Sequence, residues 1–237
     1  MIIRMETDAR AETSSAPFQP VAAPWHTAVV LAVIVVLVLR GWFQAQHMRT
    51  MANPNHIRLY NRTILFEWLT LALVLVGVWL HGSPLLTVMG DRWRSVSQFL
   101  RHVGIALMFL IATIAFTSIA GSHGSAGDQA TNFLLPHGRI EIALWVLLSI
   151  TAGICEEAIY RGYLQKQFIA LTTSVPAGII LSALAFGLAH SYQGFARASM
   201  ISVMGAMSGV LAYWCRSVRP GMIAHALQDV LGAFIRH

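Results

Sequence analysis

The stretch Cys-Glu-Glu-Ala-Ile-Tyr-Arg at residues 155–161 places two adjacent carboxylates and an arginine between two long apolar segments. Residues 140–154 contain one acid, Glu141, and are otherwise almost wholly apolar, and residues 175–189 are again nearly all apolar. An ionisable group at membrane depth costs roughly 2.5–3.5 kcal/mol on insertion scales. A chain that keeps three such groups together is expected to use them, although a structural charge cluster between helices is the alternative.

The composition is that of a membrane protein. The 237 residues are 56% hydrophobic and only 11% charged, with a mean hydropathy of +0.63, whereas soluble domains carry about 25% charged residues. We therefore predict an all-α, polytopic integral membrane protein of about seven transmembrane helices plus one interfacial amphipathic helix. The arginines are scattered and form no basic stripe with aromatics, so nucleic acid is not an expected partner. Cys155 and Cys215 offer neither a disulfide framework nor a CxxC metal motif.

The chain divides into three predicted regions. Residues 1–24 are polar and rich in Ala, Ser, Thr and Pro, which is typical of a disordered tail. Residues 25–139 are predicted to hold the first membrane helices, with an interfacial amphipathic segment at 83–102. Residues 140–237 hold the last four predicted spans and most of the polar groups that could carry chemistry. Glu67, in the second predicted span, is interpreted as an interfacial or helix-start carboxylate.

Helix geometry separates the roles of the two adjacent glutamates. The helix that begins near residue 140 is expected to continue past Arg161 to about Phe168. Glu157 and Arg161 are four residues apart, so they share a face and can pair, bracing the helix and setting the local field. Glu156 points about 100° away from Glu157, which leaves it without a local partner and available for chemistry.

Two later segments carry further polar groups at helical spacing. His190 ends an apolar run that contains Phe186 four residues earlier. His225 and Asp229 are also four apart and share one face of the last predicted helix. Gly205 and Gly209, between these segments, have the small-residue spacing that lets membrane helices approach closely.

This set of side chains suits peptide hydrolysis, which needs an activated water, an oxyanion stabiliser and a proton for the leaving amine. Glu156 with His190 could hold and deprotonate a water, since a carboxylate away from bulk water is a better base. His225 could donate to the oxyanion, and Asp229 could orient His225 or add a donor. In a second scheme Glu156, His190 and His225 would be the ligands of a catalytic zinc with one open position. The residues alone leave both schemes open.

The motifs Glu156-Glu157-x-x-x-Arg161, Phe186-x-x-x-His190 and His225-x-x-x-Asp229, in this order, resemble the CPBP family of intramembrane proteases. The letters stand for CAAX protease and bacteriocin processing. Bacterial members are often labelled abortive-infection or immunity proteins, and the eukaryotic relative is the Ras-converting CAAX endopeptidase. The resemblance covers about residues 144–234, so residues 140–237 would be the catalytic helical core.

The resemblance implies a glutamate-dependent intramembrane protease that requires no cofactor, with a zinc-dependent version as the alternative. Glu156 and His190 would activate water, and His225 and Asp229 would form the oxyanion site, with Glu157 and Arg161 supporting. The position of Asp229 is often Asn in the prenyl-protein branch, and a carboxylate donates to an oxyanion only when protonated. The implied partners are the lipid bilayer and a protein or peptide substrate, which could be membrane-anchored or lipidated. We expect a multi-pass protein of the bacterial inner membrane.

Two other classes of function are compatible with these residues. One is a catalytically silent family member that acts as an immunity or scaffold protein. The other is a small transporter or proton relay, since buried carboxylates and histidines serve there too. That class is expected to have internal symmetry between its halves, and no internal repeat is evident in the sequence.

Overall fold

A computed structural model describes residues 18–51, 54–121 and 134–235, and all regular structure within these ranges is helical, which confirms the predicted all-α class. Residues 1–17 of the predicted tail lie outside the described residues, whereas residues 18–24 are described. The helices are α1 (Pro24–Arg49), α2 (His56–Leu80), α3 (Leu86–Met89), α4 (Val96–Gly121), α5 (Arg139–Glu156), a π-helix (Glu157–Leu164), α6 (Gln165–Thr172), α7 (Val175–Ala189), a 3₁₀ turn (Ser191–Gln193), α8 (Phe195–Cys215) and α9 (Arg219–Ile235).

In the part of the chain that the structure describes, five helices are long and apolar enough to cross a membrane. They are α1, α2, α4, α8 and the continuous helix Arg139–Thr172, while α7 is apolar but shorter. The last helix, α9, is not among the five. An integral membrane protein with several spans is therefore supported, but the predicted number of seven is not confirmed.

The predicted interfacial segment at 83–102 differs from a single amphipathic helix. It consists of the short α3, a non-helical link and the first turns of α4. Gly90 ends α3 with φ of +79°, a conformation that side chains with a Cβ rarely adopt. α3 also packs closely on the π-helix, because a Cβ at Gly162 would overlap the carbonyl of Val88.

The central helix extends from Arg139 to Thr172, beyond the end predicted near Phe168, and contains the π-helix in its middle. All eight residues of the π-helix are buried. Such wider turns, with i→i+5 hydrogen bonds, are rare in proteins. Those that do occur are frequently found at functional sites. The π-helix begins at Glu157, directly after Glu156, so the quoted motif lies at the change of helix type.

Helices α2 and α9 both pack on α5 and bring their side chains to its C-terminal end. Gly153 marks a close approach, because a Cβ built there would lie 2.7 Å from the Met222 carbonyl oxygen and 2.8 Å from the Ala226 backbone nitrogen. Only glycine permits this distance between the backbones of α5 and α9. The approach places Glu156, one turn further along α5, beside His225.

A polar chain of hydrogen bonds ties α1 and α2 to the central helix. Gln167 Nε2 donates to Thr27 Oγ1 (2.7 Å), which lies 3.2 Å from the Tyr163 hydroxyl. His26 Nε2 donates to the Leu73 carbonyl (3.1 Å), so its Nδ1 accepts from the Tyr163 hydroxyl (2.7 Å). Each polar group in this chain has a partner, as burial within a membrane protein demands.

The segment before α1 is attached to the same glutamine. The backbone N–H groups of Val21 and Ala22 donate to Gln167 Oε1 at 2.7 and 3.2 Å. Both residues are buried, although the sequence places them in the tail of residues 1–24. The attachment comes from an amide side chain far along the sequence, which the local composition does not reveal.

Candidate active site

The polar groups of the three sequence motifs line a single cavity of about 800 Å³. Its walls come from α1, α2, α4, the central helix, α8 and α9, with a contribution from the end of α7. Six side chains that were predicted for the site line this cavity: Glu156, Glu157, Arg161, His190, His225 and Asp229. The structure thus brings together all six residues that the sequence singled out, while their individual roles remain predictions.

Both carboxylate oxygens of Glu157 contact buried polar side chains. Its Oε1 lies 3.0 Å from Arg161 Nη1, and both side chains are only 2% exposed. Its Oε2 accepts a hydrogen bond from Ser208 Oγ at 2.8 Å. A buried carboxylate needs this kind of pairing to remain ionised. The predicted pairing of Glu157 with Arg161 is confirmed, whereas their supporting role in catalysis stays a prediction.

Two side chains of the central helix donate hydrogen bonds to the backbone carbonyls of Gly205 and Gly209 in α8. Arg161 Nη2 donates to the Gly205 carbonyl at 3.3 Å, and Gln165 Nε2 donates to the Gly209 carbonyl at 3.0 Å. A Cβ at Gly209 would lie 2.7 Å from Gln165 Oε1. The close approach predicted from the Gly205–Gly209 spacing is therefore observed, and it holds the π-helix against α8.

Glu156 faces a different histidine with each of its carboxylate oxygens. Oε1 lies 4.0 Å from His190 Nε2, and Oε2 lies 3.5 Å from His225 Nε2. The Glu156 side chain is 13% exposed, so it is accessible from the cavity but largely shielded. Neither histidine is close enough for a strong direct hydrogen bond.

The orientation of His190 is fixed by the end of α7. Its Nδ1 lies 2.9 Å from the Phe186 carbonyl oxygen, which can only accept, so Nδ1 carries the proton. In the neutral ring Nε2 is then an acceptor, and it points at Glu156. Tyr192 stacks on the imidazole at 6.1 Å between ring centroids. Burial, reinforced by nearby acidic groups, raises the pKa of Tyr192 to about 12, so its hydroxyl remains neutral.

His225 is surrounded by three carboxylates. Its Nδ1 lies 3.5 Å from Glu157 Oε1, while its Nε2 lies 3.5 Å from Glu156 Oε2 and 3.6 Å from Asp229 Oδ2. Opposite charges at these distances favour the doubly protonated imidazolium. In that form both ring nitrogens are donors, so the ring can offer a proton to an atom that gains negative charge. Asp229 is the most exposed member of the group, at 38%.

The cavity contains residue types that can bind a metal ion, but in the described part of the chain they are not arranged as a metal site. Two histidines and a carboxylate are common zinc ligands. Within the described ranges, however, no group of three or more His, Cys, Asp or Glu side chains is placed to hold a metal ion. The two histidines face different oxygens of Glu156, at 4.0 and 3.5 Å. We therefore derive no reaction step through a metal.

Glu67 is an acidic residue of the cavity that sequence reasoning did not place in the site. It lies in the middle of α2 and not at a helix start, and it lines the same cavity as Glu156. Its interpretation as a helix-start carboxylate was therefore wrong, and its depth in the membrane stays a prediction. Its isolation as the one acid in an apolar helix was the available signal, because such residues usually face the interior of a membrane protein.

The fold and the cavity together define an all-helical membrane protein with a shielded site of carboxylates and histidines. Residues 138–231 match the model of the family described as type II CAAX prenyl endopeptidase Rce1-like. The match confirms the resemblance of the C-terminal region to the CPBP family and supports protease activity in general terms. Comparisons with curated proteins and with solved structures found no match for the chain.

Proposed function

We propose that the protein is an intramembrane endopeptidase that hydrolyses a peptide bond near the C-terminus or membrane anchor of a protein or peptide. Glu156 and His190 activate the attacking water, and His225 with Asp229 stabilises the oxyanion. The family match over residues 138–231 supports the reaction class. The inner membrane of a bacterium is the proposed location.

The observation that carries this proposal is the relation of His190 to Glu156. Their facing atoms, Nε2 and Oε1, are 4.0 Å apart, and each is an acceptor. A polar contact beyond 3.5 Å suits a bridging water, and a water between two acceptors donates both of its protons to them. Its lone pairs then point away from the two side chains, into the cavity where a substrate carbonyl can bind.

The reaction then proceeds in two steps. The water oxygen attacks the carbonyl carbon while one water proton passes to Glu156, and the carbonyl oxygen becomes an oxyanion. When the carbon–nitrogen bond breaks, Glu156 returns this proton to the leaving amine. The products are a carboxylic acid and an amine, and Glu156 is ionised again for the next cycle.

His225 is the proposed oxyanion donor. As an imidazolium held among three carboxylates, it presents a fixed positive charge where negative charge develops, which is the most effective form of electrostatic stabilisation. Asp229, 3.6 Å from the same nitrogen, maintains this charge. In this scheme Asp229 acts on His225 rather than donating to the oxyanion itself.

The cavity also suits a lipidated or membrane-anchored substrate. Apolar side chains from α1 and α4, including Ile34, Phe109 and Ile114, line the same space as the catalytic groups. An apolar chain could lie against them while a peptide bond reaches Glu156. We accordingly propose substrates whose cleaved bond lies close to a lipid group or a membrane segment.

The test is proteolysis by purified protein in detergent, with peptide and lipopeptide libraries that include C-terminal membrane-anchor segments. Glu156→Gln keeps the shape of the side chain but removes the base, so we expect cleavage to fall by roughly 10²- to 10⁴-fold. Glu141→Gln is the matched control, because Glu141 lies on the same helix but bonds to His56 and to the His137 backbone instead. Full cleavage by Glu156→Gln would refute the mechanism.

A strong chelator added to each assay separates the two schemes. We expect wild-type cleavage to survive chelation. Cleavage that is lost with chelator and restored by zinc would keep the site and replace the mechanism with a zinc-dependent one. A wild-type protein that cleaves no library member would favour a silent immunity or scaffold protein.

A further inference from the structure

Arg40 is a partly buried cation on the wall that α1 contributes to the cavity. It lies near the middle of the α1 residues that line the cavity, which range from Ile34 to Met48. Its guanidinium lies over the Phe66 ring of α2, with Cζ 4.4 Å from the ring centroid. This cation–π contact holds the guanidinium against α2. The N–H donors lie in the plane of the guanidinium, so the contact with the ring does not use them.

Within the part of the chain that the structure describes, Arg40 forms no ion pair. Its Nη2 is buried and has no hydrogen-bond partner among the described residues. Arg161, by contrast, is paired with Glu157 at 3.0 Å. An arginine in a membrane-spanning helix is costly and is by default a candidate for function. The ligand that suits it is an anion with two oxygens, because a guanidinium binds a carboxylate through two parallel hydrogen bonds.

The surroundings of Arg40 are mainly apolar. Of the α1 residues that line the cavity, Gln44 lies one turn from Arg40 and shares its face of the helix. Most of the other lining residues of α1 are apolar, among them Ile34, Leu37 and Val38. A cation set in such a wall fits an apolar chain that carries one anionic group.

We propose that Arg40 binds a carboxylate of the substrate that lies within a few residues of the cleaved bond. The proposal rests on the proposed function as an endopeptidase. Arg40 and Glu156 line the same cavity of about 800 Å³, which is in the size range of small-ligand sites. An extended peptide advances roughly 3.3–3.6 Å per residue. A carboxylate at Arg40 and a peptide bond at Glu156 therefore belong to one short stretch of substrate.

Two parts of a peptide offer this carboxylate. One is the C-terminus of the substrate, and the other is an acidic side chain close to the cleaved bond. Cleaved library members are therefore compared in matched pairs, the first with a free or amidated C-terminus and the second with Asp or Asn at each position around the bond. In the wild type we expect the carboxylate member of one kind of pair to have a kcat/KM roughly 10- to 100-fold higher, which is the value of a hydrogen-bonded charge.

Three variants assign this preference to Arg40. Arg40→Gln removes the charge, so we expect both members of each pair to be cleaved at similar rates. Arg40→Lys keeps the charge but not the planar pair of donors, and we expect an intermediate preference. Arg62→Gln is the control and should retain the full preference, because Arg62 is exposed and is not among the residues that line the cavity. The ratio within a pair does not depend on how much of a variant is folded.

Two results of the cleavage assay would overturn the proposal. One is a wild type that shows no preference in either kind of pair. The other is an Arg40→Gln variant that retains the preference while its cleavage of both members changes equally, which would indicate a structural or lipid-binding role for Arg40.

A second measurement needs no hydrolysis. The probes are a photoreactive fatty acid and the alcohol of the same chain, compared in a maltoside detergent at mildly alkaline pH, where the acid is ionised. Crosslinked residues are identified by mass spectrometry. We expect the acid to label the cavity-lining residues of α1 and α2 more strongly than the alcohol in the wild type and in Arg62→Gln, but not in Arg40→Gln. Equal labelling by the two probes in the wild type would overturn the proposal.

The two proposals fail in different ways. Failure of the proposed function would appear as a Glu156→Gln variant that cleaves like the wild type. Failure of the Arg40 site would appear as a wild type that does not distinguish a carboxylate from its neutral counterpart, in cleavage or in labelling. The labelling result is obtained whether or not Glu156 is the base.

Discussion

Ser208 donates a hydrogen bond of 2.8 Å to Glu157 Oε2, joining α8 to the first residue of the π-helix. Both residues are almost completely buried, with Ser208 at 4% and Glu157 at 1% exposure. Arg161 pairs with the other oxygen of the same carboxylate. The buried glutamate is thus held from two helices, and this fixes the turn on which Glu156 also lies.

Ser208→Ala should therefore destabilise the protein. It leaves a buried carboxylate oxygen without its donor, which costs about 1–3 kcal/mol, and we expect a lower thermal unfolding temperature in detergent. Ser202→Ala is the matched control on the same helix, because Ser202 Oγ bonds only to the Ala198 carbonyl of its own helix. Equal unfolding temperatures for the two variants would argue against the importance of the Ser208 bond.

His190→Ala should abolish most cleavage and be partly restored by free imidazole. The ring supplies one acceptor for the water, and loss of such a group typically reduces the rate by about 10²- to 10⁴-fold. Imidazole can occupy the space left in the cavity and accept the same proton. The measurement is kcat/KM with increasing imidazole. Glu156→Gln is the control and should show no rescue, whereas equal rescue of both variants would indicate a non-specific effect.

Asp229→Asn distinguishes the two roles considered for Asp229. If the carboxylate acts through its charge on His225, the neutral amide cannot replace it, and we expect kcat to fall roughly 10- to 100-fold. If the residue instead donates to the oxyanion, the amide N–H would serve at least as well and kcat would be retained or increased. Single-turnover rates with saturating enzyme report this step directly.

The three motifs could be predicted because each is a local pattern. Glu157 with Arg161, Phe186 with His190, and His225 with Asp229 are all four residues apart, so a helix brings each pair together whatever the tertiary fold. The charges of Glu156 and Glu157 within apolar surroundings then mark the pattern as unusual.

The parts that could not be predicted depend on packing between distant segments. Glu67 is a single acid in an apolar helix, and nothing nearby in the sequence reveals that α2 lies against the end of α5. The π-helix has no comparable signal, since its residues have no distinctive propensity for the wider turn. The close approach of Val88 to Gly162 is likewise a contact between segments distant in sequence.

The chain of hydrogen bonds between the central helix and α1 bears on whether the C-terminal region can fold without the amino-terminal helices. The family match covers residues 138–231, but Tyr163 and Gln167 within that range bond to His26, Thr27 and the backbone before α1. An excised C-terminal segment would present these groups to lipid with nothing to satisfy them. We therefore expect the amino-terminal helices and residues 138–231 to form one folding unit, in which the matched segment does not fold alone.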